Sequence, residues 1–555
     1  MTKAHSFHIP VMGIGFTIDT PLKVSQYGID SVISLVDDML LEKLRKMYSA
    51  RFRIPYEEIT EKMEDFRAKR ITSYLNLIKR LAEKKFEQSI RKRFKNKSAD
   101  NLTMGSIDVN VMTKVDRTNY RSGKELPSEY NDAHAAVRGY ANSDLSSTIV
   151  LSAGMNPSLY GYLEKFKDFF PDKLGVIKKK IAIKVSDYRS ALIQGKFLAK
   201  KGLWVSEFRI ESGLNCGGHA FATEGYLLGP ILAEFRDKRK ELIETMHEIL
   251  LDSPSTTGRP VPKKTLPLRI TAQGGVGTAE EHKFLLEHYQ LDSVGWGTPF
   301  LLVPEATNVD AVTLKQLTEA KENDVYLSNI SPLGVPFYSL RGNTKDITKL
   351  SYINKGKPGS PCPKKYVAMN SEFTTKGICT ASRHYQSLKI KELDSEGLSP
   401  AEYKEAYDKI VEKSCICVGL GTPALLVNNM ETKTEGPGVS VCPGPDLAYF
   451  SKVMSLKQIM DHIYGRKNMI TRTDRPNIFI KELNIYIDFI KGKIKEAGIS
   501  PDVKQVRYFS SFLKNLKDGV DYYYKLFTTH SDIFKETREG ILRDLKALEI
   551  ELRGS

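Results

Sequence analysis

Eight short apolar runs recur through the first 305 residues, and stretches of helical length separate most of them. They lie at residues 9–15, 31–35, 106–112, 147–153, 181–186, 204–210, 266–273 and 292–300. Runs that are apolar on both faces belong to strands buried on both sides, as parallel strands wrapped in helices are. Strand and helix alternating eight times predicts an α/β fold, a closed (β/α)8 TIM barrel. Two connections are unusually long and helical. The segment of about 37–98 reads as an insertion after the second strand, and 221–251 follows the sixth. Either is expected to act as a lid or a partner surface.

The texture changes after Pro304. Residues 306–466 are rich in Gly, Pro and Cys and predict a cysteine-containing α+β extension. Residues 467–555 read as C-terminal helices polar enough to pack on the outside. With 555 residues, more than one unit is expected: a barrel over 1–305, the extension and the helical region. The opening stretch lacks the features of a signal peptide, and no run is long enough to cross a bilayer. A cytoplasmic protein without membrane partners is therefore expected. Oligomeric state is not legible.

A formal charge of +16 raises a nucleic-acid reading. Much of the excess falls in 67–97, where Ile71, Leu75, Ile78 and Leu81 recur at helical spacing. The bland reading is the solvated face of an amphipathic helix. The alternative is a footprint for RNA, an acidic partner or a membrane surface, and with RNA a flavin-dependent enzyme that modifies or binds it through the basic helices.

In a parallel barrel, chemistry gathers at the C-terminal ends of the strands. Those ends carry Met12, Gly13, Asn110, Lys184, Glu211, the run "SGLNCGGH" (212–219), Gln273, Gly274, Gly275, Gly297 and Thr298. Gly274 and Gly275 end the seventh strand, just before a helix whose first N–H groups point outward. Gly297 and Thr298 end the eighth. Loops after strands seven and eight, with a helix N-terminus, form the usual barrel phosphate site. Tight turns are the simpler reading of the same glycines. Gly13 and Gly15 do not complete a GxGxxG, so no Rossmann unit is expected.

These residues resemble the nitronate monooxygenase (2-nitropropane dioxygenase) family of FMN-dependent barrels, and more loosely its enoyl-reductase relatives. "IPVMGIG" is similar to the family's opening Pro-x-Met-x-Gly strand, and "NVM" at 110–112 to its third-strand Asn motif. "AQGGV" and "GTPF" are similar to its phosphate loops. Within "SGLNCGGH", Gly213, Gly217, Gly218 and His219 match the family's Q-G-x-E-A-G-G-H, while Ser212, Asn215 and Cys216 replace Gln, Glu and Ala. The resemblance implies FMN across the barrel mouth. Its ring would lie near Met12, Gly13, Asn110 and Gly218, with Lys184 at the electron-rich edge. Its phosphate would lie on Gly274, Gly275, Gly297 and Thr298 beside Gln273. It further implies an oxidoreductase, monooxygenase or reductase, with NAD(P)H or ferredoxin as electron donor. His219 takes the place of the general base, with a buried structural histidine as the alternative. Cys216 is either an acid near the flavin or a small buried residue. With Asn215 and Cys216 replacing the family's residues, nitronate is not the expected substrate, and the small-molecule substrate is unidentified.

Five of the six cysteines fall in the extension. Cys362, Cys379, Cys442 and one of Cys415 or Cys417 (Cys417 preferred) make a set of four thiols for an iron–sulfur cluster acting as electron relay. Zinc or plain buried thiols are the other readings. The segment 332–344 is expected to close over the flavin site, with Arg341 meeting an anionic substrate or a surface carboxylate.

Overall fold

Parallel pairing closes on itself in the N-terminal half of the chain. In the computed structural model, which describes residues 5–93, 103–152, 154–215, 224–253, 259–260, 262, 264–498, 501–530 and 532–553, eight strands form one closed barrel. They are β1 (Phe7–Ile9), β2 (Asp30–Ser34), β3 (Ile107–Met112), β4 (Ser147–Ser152), β5 (Lys179–Val185), β6 (Val205–Glu211), β7 (Arg269–Gln273) and β8 (Ser293–Gly295). Each pairs in parallel with the next, and β8 returns to β1 through Phe7↔Val294 and His8↔Gly295. This is the (β/α)8 barrel that the sequence predicts.

Two runs are shorter than expected. The first strand ends at Ile9, because Pro10 has no N–H for a ladder, and 10–15 becomes the loop at its C-terminal end. The last strand ends at Gly295, and Pro299 starts a 3-10 turn, Thr298–Leu302, in place of further strand.

A charged layer fills part of the interior. Arg209 Nε donates to Glu207 at 2.8 Å, and Thr271 Oγ1 to the same carboxylate at 2.6 Å. His8 of β1 feels both Arg209 and Glu207, and Arg209 feels Asp108 of β3. These strands are not neighbours, so such groups meet only through the inside of the barrel. Burial alone would raise the Glu207 pKa, but Arg209 and Arg269 hold it down to about 2.

The helical segment after β2 is part of the barrel's outer wall. Helix α1 (Asp38–Arg51) and helix α2 (Phe66–Arg93) bury Leu40, Leu44, Ile71, Leu75 and Ile78. Two of the basic residues counted towards a nucleic-acid surface are inside. Arg67 and Arg70 both pair with the buried Asp38, at 2.5 and 2.9 Å. Lys69, Arg80 and Lys84 remain on the outer face. No single helix among the described residues is long and apolar enough to cross a membrane.

Helix α3 (Ala279–His288) joins β7 to β8, and beyond β8 the hairpin β9 (Val325–Ser328) and β10 (Phe337–Leu340) opens the extension. The most apolar helix, α4 (Ile416–Val427), lies on the loop after β1. Gly15 N donates to Leu420 O at 2.7 Å, and a Cβ on Gly15 would stand 2.5 Å from Gly421 O. Only glycine permits that approach. The C-terminal helices α5 (Ile478–Ala497), α6 (Val503–Thr529) and α7 (Arg538–Arg553) are amphipathic, with buried faces built from Phe479, Leu483, Tyr486, Phe512 and Tyr523. Tyr486 packs on Gly213, and the Tyr523 hydroxyl accepts from Gly229 N at 3.0 Å, so these helices seal the β6 side of the barrel.

Candidate functional site

A recess with about 910 Å³ of empty space, open solvent included, of which about 100 Å³ is room for water-sized molecules, lies at the C-terminal ends of the barrel strands. The barrel supplies the floor, with Ser34, Asn110, Ser152, Lys184 and Glu211 set among apolar residues such as Val11, Val36 and Met112, and Gly13 after β1. The extension supplies an apolar roof: Pro332, Leu333 and Phe337 from the hairpin, Tyr366 and Val367, and Ile416, Cys417 and Leu420 from α4. The segment 332–344 thus closes the mouth as expected. Arg341 does not take part. It is exposed, lies 4.2 Å over the Tyr326 ring and donates to Asn323 O.

The floor brings Gly13, Asn110 and Lys184 together, while Met12 is fully buried beside them. Lys184 is not a lone cation. Its Nζ lies 2.9 Å from Glu211 Oε1, which also accepts from Asn215 Nδ2 and Gln273 Nε2, each at 2.8 Å. The carboxylate thereby ties β5, β6 and β7 together at the rim. One acceptor is left over: Asn110 Oδ1 is buried without a hydrogen-bond partner. An unsatisfied buried acceptor carries a desolvation cost of about 1–3 kcal/mol and calls for an explanation. A ligand donor at the barrel mouth supplies one.

Gly274, Gly275, Gly297 and Thr298 lie outside this cavity, at the ends of adjoining strands, where Gln273 pairs with Gly295. Among the described residues their main-chain N–H groups donate to no protein acceptor. The two glycines after β7 also let the β6 loop come close. A Cβ on Gly274 would meet Asn215 at 2.8 Å, and one on Gly275 would meet Leu214 at 2.4 Å.

The start of helix α3 is not open as expected. Thr278 and Glu281 form a capping box, and Glu281 Oε2 takes the N–H groups of Gly277 and Thr278 at 2.9 and 3.3 Å. Arg475 closes over it, bonding Glu281 at 2.7 Å and Gly275 O at 2.8 Å, with Asp446 at 3.3 Å. An anion at this rim would meet the strand-end amides and not the helix N-terminus.

Cys216, Gly218 and His219 lie outside the described residues. The residues on either side of them are described, and one buried group reaches both sides. Glu482 of α5 accepts from Ser212 Oγ at 3.2 Å and from Leu228 N at 2.8 Å, with Tyr486 and Tyr523 also hydrogen-bonded to it. Nothing in its local sequence marks this glutamate, which faces a loop 254 residues away. Burial pushes its pKa from the ordinary 4.5 up to about 7. A carboxyl whose folded pKa is raised keeps its proton in the folded chain while the unfolded chain loses it. Stability therefore falls as pH rises from about 4.5 to about 7. Replacing Glu482 by Gln is expected to flatten that slope, so that the variant gains on the parent in thermal melts at pH 8 but not at pH 4.5.

Cys362 and Cys379 pack together with Ala368 and Ala381, and Cys415 and Cys417 stand at the start of α4. All four are buried and none is in a disulfide. Cys442, the other thiol expected in the set, is buried with Tyr338 nearby. Among the described residues, no group of three His, Cys, Asp or Glu side chains is arranged to hold a single metal ion.

No family model and no curated protein matches the sequence. Among solved structures, the enoyl reductase domain of MlnA from the macrolactin biosynthesis cluster of Bacillus amyloliquefaciens is similar. It has a TM-score of 0.39 and 13% identity, over 94% of this chain and 97% of that one. Nitroalkane oxidase from Streptomyces ansochromogenes gives a TM-score of 0.30 and 10% identity, over 61% of this chain and 78% of that one. Likeness at this level adds nothing to the barrel topology described above.

Proposed function

We propose that the chain is an FMN-dependent oxidoreductase acting on a small molecule in the barrel-mouth cavity. The observation that carries the reading is the convergence of Gly13, Lys184 and the unpartnered Asn110 Oδ1 on the floor of one roofed cavity. The residues fit the cofactor. An apolar roof over a floor that carries polar groups suits a flat ring with polar edges, and the amides of Gly274, Gly275, Gly297 and Thr298, which donate to no acceptor among the described residues, suit a phosphate on the same rim. FMN, when bound, supplies hydride or electron transfer.

The chain's own residues supply the rest. Asn110 Oδ1 accepts a ligand N–H, which removes the cost of its burial. Lys184 donates an N–H to the cavity, but Glu211 balances its charge, so the pair polarises an edge without adding net positive charge. Gln273 and Asn215 hold Glu211 in place from outside. The roof residues Leu333, Phe337 and Leu420 exclude water, which strengthens each polar contact beneath them. His219 remains the proposed proton carrier, in a stretch that Glu482 reaches on both sides. NAD(P)H or ferredoxin remains the proposed electron donor.

Paired titrations with FMN and riboflavin test the reading. FMN is expected to bind at least about tenfold more tightly than riboflavin, the contribution of a phosphate held by charge-assisted amide contacts. Asn110→Leu is expected to weaken both flavins by about tenfold, since it removes the acceptor. Equal affinity for the two flavins would remove the phosphate seat. An Asn110→Leu chain that binds as the parent does would remove the ring assignment.

A further inference from the structure

The opposite end of the barrel, where the strands begin, carries a different kind of surface. The segment that leads into β5 forms a tight turn there. Asp172 Oδ1 accepts from Leu174 N and from Val176 N, each at 2.8 Å, and Gly175 N donates back to Asp172 O at 3.0 Å. Gly175 sits at φ 80°, in the left-handed region, so the turn is fixed by its own bonds. What it holds outward is apolar. Leu174 is 88% exposed and Val176 60% exposed. A small recess joins Pro171, just before the turn, to Leu251, which is exposed at the end of the helix Arg239–Leu251. One exposed aliphatic residue needs no explanation, but several on one face mark a contact surface.

Cations surround this tip. Lys173, Lys180, Lys200, Arg259 and Lys264 are exposed on the segments that enter β5, β6 and β7, and none has a carboxylate within ion-pair distance among the described residues. Arg259 lies 3.5 Å over the Phe170 ring, which keeps its charge beside the apolar residues. Asp168 is taken by Lys178 at 2.8 Å and Asp172 by the turn, which leaves Asp144 and Asp252 against these cations. The face keeps a net positive charge.

We propose that this end of the barrel docks on an anionic lipid surface, with Leu174 and Val176 entering the boundary between headgroups and acyl chains and the surrounding cations meeting lipid phosphates. In such a contact apolar burial and attraction to anionic lipid add to one another. RNA is the other polyanion that a basic face could meet, but it offers phosphates and stacking faces and no apolar layer for leucine and valine. Surface docking needs no spanning helix, and no single helix among the described residues is long and apolar enough to be one. The mouth would face away from the lipid, and the inference holds whatever the mouth binds.

Flotation of the full-length chain with vesicles tests it. The chain is expected to float with vesicles of phosphatidylcholine containing about one third phosphatidylglycerol and not with pure phosphatidylcholine, and to be released by about 0.5 M salt. Leu174→Asp is expected to weaken binding by about tenfold or more, the loss of one buried leucine side chain. The double variant Lys173→Glu, Lys180→Glu is expected to weaken it by about twentyfold or more. Val503→Asp, at a residue 86% exposed on α6, is expected to bind as the parent does. A chain that floats with neither vesicle, or equally with both, overturns the proposal, as does one that shifts poly(U) RNA but binds no vesicle. Parent-like flotation of Leu174→Asp, or an equal loss in Val503→Asp, overturns the assignment of the tip.

Discussion

Replacing Asp37 by Ala is expected to cost about 3–5 kcal/mol and to loosen the thiol-bearing extension from the barrel, the penalty usual when one partner of a buried ion pair is removed. Asp37 is fully buried at the end of the β2 unit. Its Oδ1 caps helix α1 at Leu40 N and accepts from the Tyr366 hydroxyl at 2.8 Å; its Oδ2 pairs with Lys364 at 2.5 Å. Without it Lys364 keeps only Glu435 at 3.6 Å, in a setting where neither side chain touches water. Asp37, Asp38, Arg67 and Tyr366 therefore form the polar seam between barrel wall and extension. A lower urea midpoint and faster proteolysis around 360–380 are the expected readings. The double variant Asp37→Leu, Lys364→Met is expected to recover part of the loss, because it removes both charges together. If Asp37→Ala unfolds like the parent, the seam is not what joins the two parts.

A second large effect is expected at the barrel rim. Glu281 is almost wholly buried, and its two oxygens accept from Gly277 N, Thr278 N, Ile478 N and both terminal nitrogens of Arg475. Glu281→Ala removes the N3 half of the α3 capping box and leaves Arg475 with only Asp446 and Gly275 O among the described residues. A loss of about 3–5 kcal/mol is expected. Thr278→Ala removes only the reciprocal half of the capping box and is expected to cost about 1 kcal/mol. Comparable losses for the two variants in chemical denaturation would mean that Arg475 is not held by Glu281.

These two sites also show where the sequence stops being legible. The eight strands were readable because burial on both faces writes itself as continuous apolar runs, and each observed strand overlaps its predicted run. The boundaries failed by more than two residues at the end of β1, at the start of β7 and at the end of β8. The barrel half of the cavity was readable too, since strand-end residues such as Asn110 and Lys184 sit where any parallel barrel puts them. Its roof was only partly so. Residues 332–337 were placed correctly, but Tyr366 and α4 reach the mouth through packing that no local pattern encodes. The Asp37–Lys364 pair spans 327 residues of chain, and Glu482 reaches back 254. At the α3 terminus the signal was present and misread. "TAEE" is a capping-box sequence, and a box that caps its own amides leaves none for a phosphate. Arg341 misled because an arginine beside a site residue looks functional, whereas its guanidinium stacks outward on Tyr326.

The flavin carried by the chain tests the central claim most directly. Protein purified under gentle conditions, then denatured, is expected to release FMN close to one equivalent per chain, or to take it up to that level when supplied. A colourless chain that binds no FMN under either condition would contradict the account of the barrel mouth, and with it the oxidoreductase.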